Sequence, residues 1–399
     1  MISFFRELIF KPKEVYFLII AFTLFSRRLF KYSTFIDIDF YAYPVYIILF
    51  VFLFYTLKIS LRYAILLFFF CCFSSIVFLS NHDSYFNLIK TVIPFLFIYT
   101  TFYSYFKNYS ILGFFKTYLK LSVWVALIGY LQVILKVFFA INIFSRYASF
   151  ALHSIVTEPS HYVLVILPAT VFCFLKYKEY KYWFWVLFIS LILTFKLTAF
   201  ISILIVFLIA RKVNILNFLI FIFLFFISLN YLIEFEEYSY RLIPVINYFF
   251  GDGTLEYSQR YLAGTPLSFV SNLNVAIDVA LSNFFGGGIG SHPLSYDEYF
   301  SKNAWIGYDY NYGLNKNSGH SLIIRIISEF GFFIPLVIIS YIIIKFNKIK
   351  TLSMRKIILI SCFSHFIAKF IKLGAYIDFG TPIFFSIIIL LIANDNKIE

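Results

Sequence analysis

The chain has 399 residues, of which 62% are hydrophobic and only 13% charged, and its mean hydropathy is +0.88. Soluble domains carry roughly 45–50% apolar and about 25% charged residues, so a soluble globular protein is excluded and lipid is the expected solvent for most of the chain. Gly (15) and Pro (10) are too scarce for collagen-like or low-complexity chains. The formal net charge of +13 is distributed between apolar runs, as membrane topology requires, and no nucleic acid is expected as a partner.

In chain order, Met1 to Glu14 lacks a small-residue cleavage site and reads as a retained interfacial segment. Twelve apolar runs long enough for spans follow, at roughly 14–30, 41–57, 63–80, 87–106, 118–139, 161–175, 182–195, 197–210, 214–232, 321–344, 357–372 and 378–393. Lys176, Lys178 and Lys181 precede residues 182–210, and Arg211 and Lys212 follow them. Cation-rich flanks belong on the cytoplasmic side, so this stretch crosses twice, with Lys196 at its outer turn. Cys71, Cys72, Cys173 and Cys362 all lie within apolar runs, which leaves no disulfide frame and no CxxC metal site.

The expected fold class is therefore all-α: a polytopic membrane protein of about 12 transmembrane helices, with both termini cytoplasmic. Residues 1–232 form helices 1–9 of the bundle, 233–320 a large extracytoplasmic loop, and 321–399 helices 10–12 and a cytoplasmic tail. Within the loop a helix is expected from Ser258 to Phe285, stopped by Gly286-Gly287-Gly288 acting as a flexible cap, and Ser291 to Asn317 reads as an ordered loop. Asp37-Ile38-Asp39 is the one D-x-D on the outer side; two acids so spaced are commonplace, and no metal is expected.

Four constellations carry candidate chemistry. Thr157-Glu158-Pro159-Ser160-His161 opens the sixth span, and its cap, proline and acid equally make an ordinary helix start. The glycine run ending at Gly290 lacks the Gly-Lys-Ser/Thr of a P-loop. His320 stands at the outer mouth of the tenth span, followed by Arg325 and Glu329, whose spacing of four allows the pair to neutralise each other inside the bundle. His365, Lys369 and Lys372 share one stripe of the eleventh span, expected to rise about 10 Å towards the outer surface, and the two cations Lys369 and Lys372 are expected to form a phosphate cradle. Lys196 and Arg260 add cations on that side. Outward Lys, Arg and His beside an apolar bundle suit an anionic head on a long lipid. Tyr296, Tyr299, Trp305, Tyr308, Tyr310 and Tyr312 crowd the same loop, where aromatic faces stack on sugars or anchor at the interface.

From about Ser145 onward the arrangement resembles the O-antigen polymerase (Wzy-type) family, within the O-antigen polymerase and ligase superfamily. The residues that carry the likeness are Thr157 to His161; Lys196-Leu197-Thr198-Ala199; Arg260 ahead of Gly286 to Gly290; His320-Ser321-Leu322 with Glu329-Phe330-Gly331; and Lys372-Leu373-Gly374-Ala375-Tyr376. Family members often have Arg at the positions of Lys196 and Lys372, and lysine lacks the bidentate phosphate geometry.

The resemblance implies a GT-C-like fold in the bacterial inner membrane and a metal-independent glycosyltransferase without cofactor. A glycan on undecaprenyl pyrophosphate would be transferred to the non-reducing end of another lipid-linked repeat unit, and a chain-length regulator in the membrane is the implied partner. Glu158, His320 and Arg260 would be catalytic, with His320 as phosphate contact or base and Glu158 as positioning acid. Lys196, Arg325, Lys369, Lys372, His161 and Tyr376 would contact the pyrophosphate-linked substrate. Two alternatives share the architecture: an O-antigen ligase acting on lipid A core, and a lipid-linked oligosaccharide flippase, for which an outer domain this large is unexpected.

Overall fold

The computed structural model describes residues 8–25, 43–141, 151–156, 158–211, 264–300, 312–348, 353–378 and 380–393. Among these residues the regular structure is helical throughout, without strands. Three helices are long and apolar enough to cross a membrane by length and composition: Leu61–Asn81, Tyr85–Asn108 and Ile111–Phe139. The expected span at 214–232, Asp37, Asp39, Thr157, Arg260, Trp305, Tyr308 and Tyr310 lie outside the described residues.

The helices are α1 (Val15–Thr23), α2 (Tyr43–Tyr55), α3 (Leu61–Asn81), α4 (Tyr85–Asn108), α5 (Ile111–Phe139), α6 (Pro159–Leu175), α7 (Tyr177–Ile192), α8 (Leu197–Arg211), α9 (Gly264–Ser282), α10 (His292–Tyr299), α11 (Leu322–Phe330), α12 (Phe333–Lys348), α13 (Met354–Ile371) and α14 (Thr381–Ala393). Local chemistry sets many of the starts. The Ser110, Ser321 and Ser353 side chains accept from the backbone N–H three residues on, at 3.0, 3.3 and 3.3 Å, and so cap α5, α11 and α13. Pro159 opens α6, where its missing N–H costs nothing. The turn at Leu193 to Lys196 separates α7 from α8 where the charge argument placed it.

Helix α13 is the hub, packed on α6, α8, α11 and α14, while α14 also leans on α4 and α9 on α11. The interior is rich in aromatic side chains. Tyr118, Phe114, Phe115, Phe172 and Phe384 are fully buried around α5, α6 and α14. Large apolar side chains such as Phe69 and Ile76 on α3 and Leu336 on α12 remain exposed. In water such a band would be an aggregation surface, whereas in lipid it meets its own solvent.

Three expectations are corrected. Residues 321–344 are not one helix but α11 and α12, broken at Gly331, whose φ is +67° and whose missing Cβ would lie 2.2 Å from the Phe284 carbonyl oxygen. The glycine run is no flexible cap. Its backbone threads between α3 and α11: Gly287 and Gly288 N–H donate to the Ser328 and Glu329 carbonyls at 2.9 Å each, and Ile289 N–H donates to Ser74 Oγ at 2.8 Å. Only glycine lets three backbones approach so closely; a Cβ on Gly288 would fall 2.5 Å from Phe78 N. Finally, the segment expected as loop from Ser291 contains α10, started by Pro293 in its first turn.

Candidate functional site

Several helix ends meet at one end of the bundle: the starts of α6, α8, α11 and α14 and the end of α13. Glu158 immediately precedes α6, its side chain 44% exposed. Its Oε2 accepts from Ser160 Oγ at 3.2 Å and lies 3.8 Å from His161 Nε2. Burial opposes ionisation of this carboxyl, but His161, Lys372, the Ser160 hydrogen bond and Lys196 together hold it below the usual carboxylate range. Chain positions 158, 161, 196 and 372 are thus gathered into one electrostatic neighbourhood.

His320 belongs to the same neighbourhood, since Lys372 also acts on its imidazole. It sits in the left-handed backbone region at φ +60°, and its carbonyl accepts from Leu373 N–H, at 2.6 Å, which ties the α13–α14 loop to the start of α11. Burial first, and the charge of Lys372 second, push its pKa down to about 3, so the ring is neutral at physiological pH.

The ring is held on one edge by polar partners. Ser268 Oγ lies 3.1 Å from His320 Nδ1 and 3.0 Å from the Leu314 carbonyl oxygen. Asn315 Nδ2 donates to the same serine oxygen at 2.9 Å and is farther, 3.4 Å, from Nδ1. Ser268 and Asn315 thus hold the ring through its Nδ1 edge. No hydrogen bond from a described residue reaches Nε2. Burial and Lys372 disfavour the protonated ring, so His320 stands here as a neutral hydrogen-bonding group.

Arg325, Glu329 and Tyr376 form one buried network. Arg325 Nε donates to Glu329 Oε1 at 2.8 Å, its guanidinium carbon lies 4.4 Å from the Tyr376 ring centroid, and Tyr376 OH donates to Glu329 Oε2 at 2.8 Å. Tyr99 OH completes the network by donating to the Tyr376 carbonyl at 2.8 Å. Glu329 is fully buried and Arg325 nearly so. The two charges neutralise each other inside the protein, as a spacing of four permits.

The stripe on α13 is also corrected. Lys369 is fully buried, donating to Thr381 Oγ1 at 2.7 Å and to the Ala375 carbonyl. His365 is fully buried too, its Nδ1 2.9 Å from the Leu164 carbonyl oxygen and its Nε2 3.2 Å from Thr381 Oγ1. These two side chains join α13 to α6 and α14 rather than cradling a ligand. Lys372, just past the last turn, is only partly buried.

Among the aromatic residues, Tyr296 is fully buried, stacked on Phe300 at 5.0 Å and packed on Tyr312 at 5.9 Å, so it is core rather than a sugar platform. Lys316 pairs with Asp297 at 2.7 Å. Beside the site, Leu322, Ile323, Phe366, Phe370 and Phe385 line part of a wholly apolar cleft of about 340 Å³ bounded by α8, α11, α12, α13 and α14. Among the described residues no group of three or more His, Cys, Asp or Glu side chains is arranged to hold a metal ion.

Sequence reasoning missed Ser268, Asn272, His292 and Asn315. The turn-rich stretch Gly313-Leu314-Asn315-Lys316-Asn317-Ser318-Gly319 was the available signal, since Asn315 and Gly319 both adopt positive φ (+59° and +65°). Comparison with family models, with curated proteins and with solved structures finds no match to this chain.

Proposed function

We propose that the protein is a surface-polysaccharide polymerase of the O-antigen type, an integral protein of about twelve crossings in a bacterial inner membrane. It transfers an undecaprenyl-pyrophosphate-linked glycan onto the non-reducing end of a second lipid-linked unit on the outer face. The observation that carries the reading is the gathering of Glu158, His161, Lys196, Lys372 and a neutral His320 at one end of an apolar bundle. The apolar cleft alongside, with Leu322 and Phe370 at its rim, supplies lipid-like surroundings for a prenyl chain.

In this reading the imidazole of His320 takes the proton of the acceptor hydroxyl as that oxygen bonds to the anomeric carbon of the donor sugar. The bond from that carbon to the pyrophosphate oxygen breaks with its electron pair, and Lys372 and Lys196 offset the charge that develops on the leaving group. Glu158, held ionised by its neighbours, orients His161 and the acceptor. Arg260 is a further proposed pyrophosphate contact, and a chain-length regulator the proposed partner. The energy is that of the pyrophosphate linkage, so neither nucleotide nor ion gradient enters.

The test is the glycolipid ladder of a deletion strain. A single repeat unit on the core is the expected product. A bare core would instead assign the ligase activity, and an unchanged ladder would reject both.

A further inference from the structure

A second polar pocket lies away from the site above, where the end of α9, the second half of α10 and the α3–α4 turn meet. It has a volume of about 240 Å³ and is lined by Asn81, His82, Asn283, Ser295, Glu298 and Tyr299, among others. The walls are tied together before any ligand arrives. Ser295 Oγ lies 3.3 Å from His82 Nε2, joining α10 to the α3–α4 turn, and Ser282 Oγ lies 3.0 Å from Tyr299 OH, joining α9 to α10.

Its chemistry is selective. Among the described residues the Asn283 side-chain amide and the Glu298 carboxylate make no hydrogen bond, so two donors and several acceptor positions are unspent there. The described lining holds no Lys or Arg, and Glu298 repels anions, which disfavours a phosphate or pyrophosphate group. The volume is below the roughly 300 Å³ at which pockets for drug-sized ligands begin. A single uncharged ring bearing hydroxyls fits these terms: it needs many mixed hydrogen bonds, an aromatic edge such as Tyr299, and no counter-charge.

Position gives the pocket its meaning. Helix α9 carries Ser268, which orients His320, and fourteen residues further on Ser282, beside the pocket. At 1.5 Å rise per residue that is about 21 Å along one rigid helix. We propose that this pocket is a second saccharide site, which holds a neutral sugar of the glycan several rings away from the reacting end. The existence of a sugar site stands on the pocket alone; its role in retaining the glycan rests on the polymerase reading.

The test uses the full-length protein in nanodiscs and, as probe, the lipid-free repeat-unit oligosaccharide released by mild acid from the host strain's own polysaccharide. Saturation-transfer NMR should show the probe bound, with affinity lowered about tenfold or more in Asn283→Ala and in Glu298→Gln. In cells, Asn283→Ala should shorten the polymer without stopping its first extension. Absent binding, or binding equal in wild type and both pocket variants, overturns the site. Binding that needs Asn283 while the deletion strain keeps its ladder retains the sugar site and removes only the polymerase reading. If folding of one variant is compromised, the other supplies the readout, since Glu298 is exposed.

Discussion

Ser268 Oγ and His320 Nδ1 stand 3.1 Å apart across 52 positions of sequence, and the same oxygen lies 3.0 Å from the Leu314 carbonyl oxygen. The serine thus holds the imidazole in place. Ser268→Ala should lower chain extension by about tenfold, a fraction of the 10²–10⁴ that a general base contributes, while abundance in the membrane stays near wild type. Ser268→Thr, which keeps the hydroxyl, should restore most of it. Equal activity in wild type and Ser268→Ala would detach the serine from the chemistry.

The Arg325–Glu329 pair predicts a stability phenotype. Arg325→Met leaves a fully buried carboxylate without its partner, a loss of about 3–5 kcal/mol, and should abolish folded protein as judged by detergent-solubilised yield and thermal unfolding. The double variant Arg325→Met with Glu329→Gln should recover much of that loss. An additive double variant would show that the two charges do not depend on each other.

Backbone proximity predicts a third outcome. Gly374 lies so close to the His320 turn that a Cβ would stand 1.9 Å from the Ser318 carbonyl oxygen and 2.6 Å from that of Ser321. Gly374→Ala should therefore cost about 1–3 kcal/mol through overpacking and reduce activity by displacing both His320 and Lys372. Unchanged melting and unchanged activity would mean that the two loops are not packed as described.

Acid sensitivity has a definite sign. Burial, with Lys372 acting on His320 and Arg325 on His292, lowers both imidazoles to about 3. Between about pH 6.5, where free histidine titrates, and pH 3 the unfolded chain binds protons that the folded chain does not. Stability should fall as the pH drops through that window. Glu158, depressed in the folded state, works in the same direction at lower pH: its contribution is present above the ordinary carboxylate pKa and is lost as the pH falls through its folded value. Thermal unfolding followed from pH 7.5 to 4 should show the decline, and His292→Asn should flatten it; a profile identical in wild type and variant would contradict the assignment.

The start of α6 was legible in the sequence because capping is local: Pro159 after Glu158 marks a true boundary, and flanking charge located the turn at Lys196. The break at Gly331 was not legible, since apolar residues continue on both sides and only the Phe284 carbonyl pressing on that glycine demands it. Nor was the direction of Lys369. Helical spacing puts it on a stripe with His365 and Lys372, but Thr381 and the Ala375 carbonyl, contributed by a neighbouring helix and loop, draw it inward. The pairing of Arg325 with Glu329 was legible as one of two options, because both partners lie within one helical turn. Ser268 was invisible, as nothing near it in sequence marks it as the partner of His320.

The central claim is that the basic end of the bundle transfers a glycan from a lipid pyrophosphate. It is tested most directly by purified protein in proteoliposomes supplied only with lipid-linked repeat units, with nucleotide and membrane potential excluded. The account predicts a ladder of longer glycans with release of lipid pyrophosphate, a raised KM in Lys372→Ala, and no extension in His320→Ala. Movement of the glycolipid across the bilayer with no new glycosidic bond, or equal extension by wild type and His320→Ala, would contradict it.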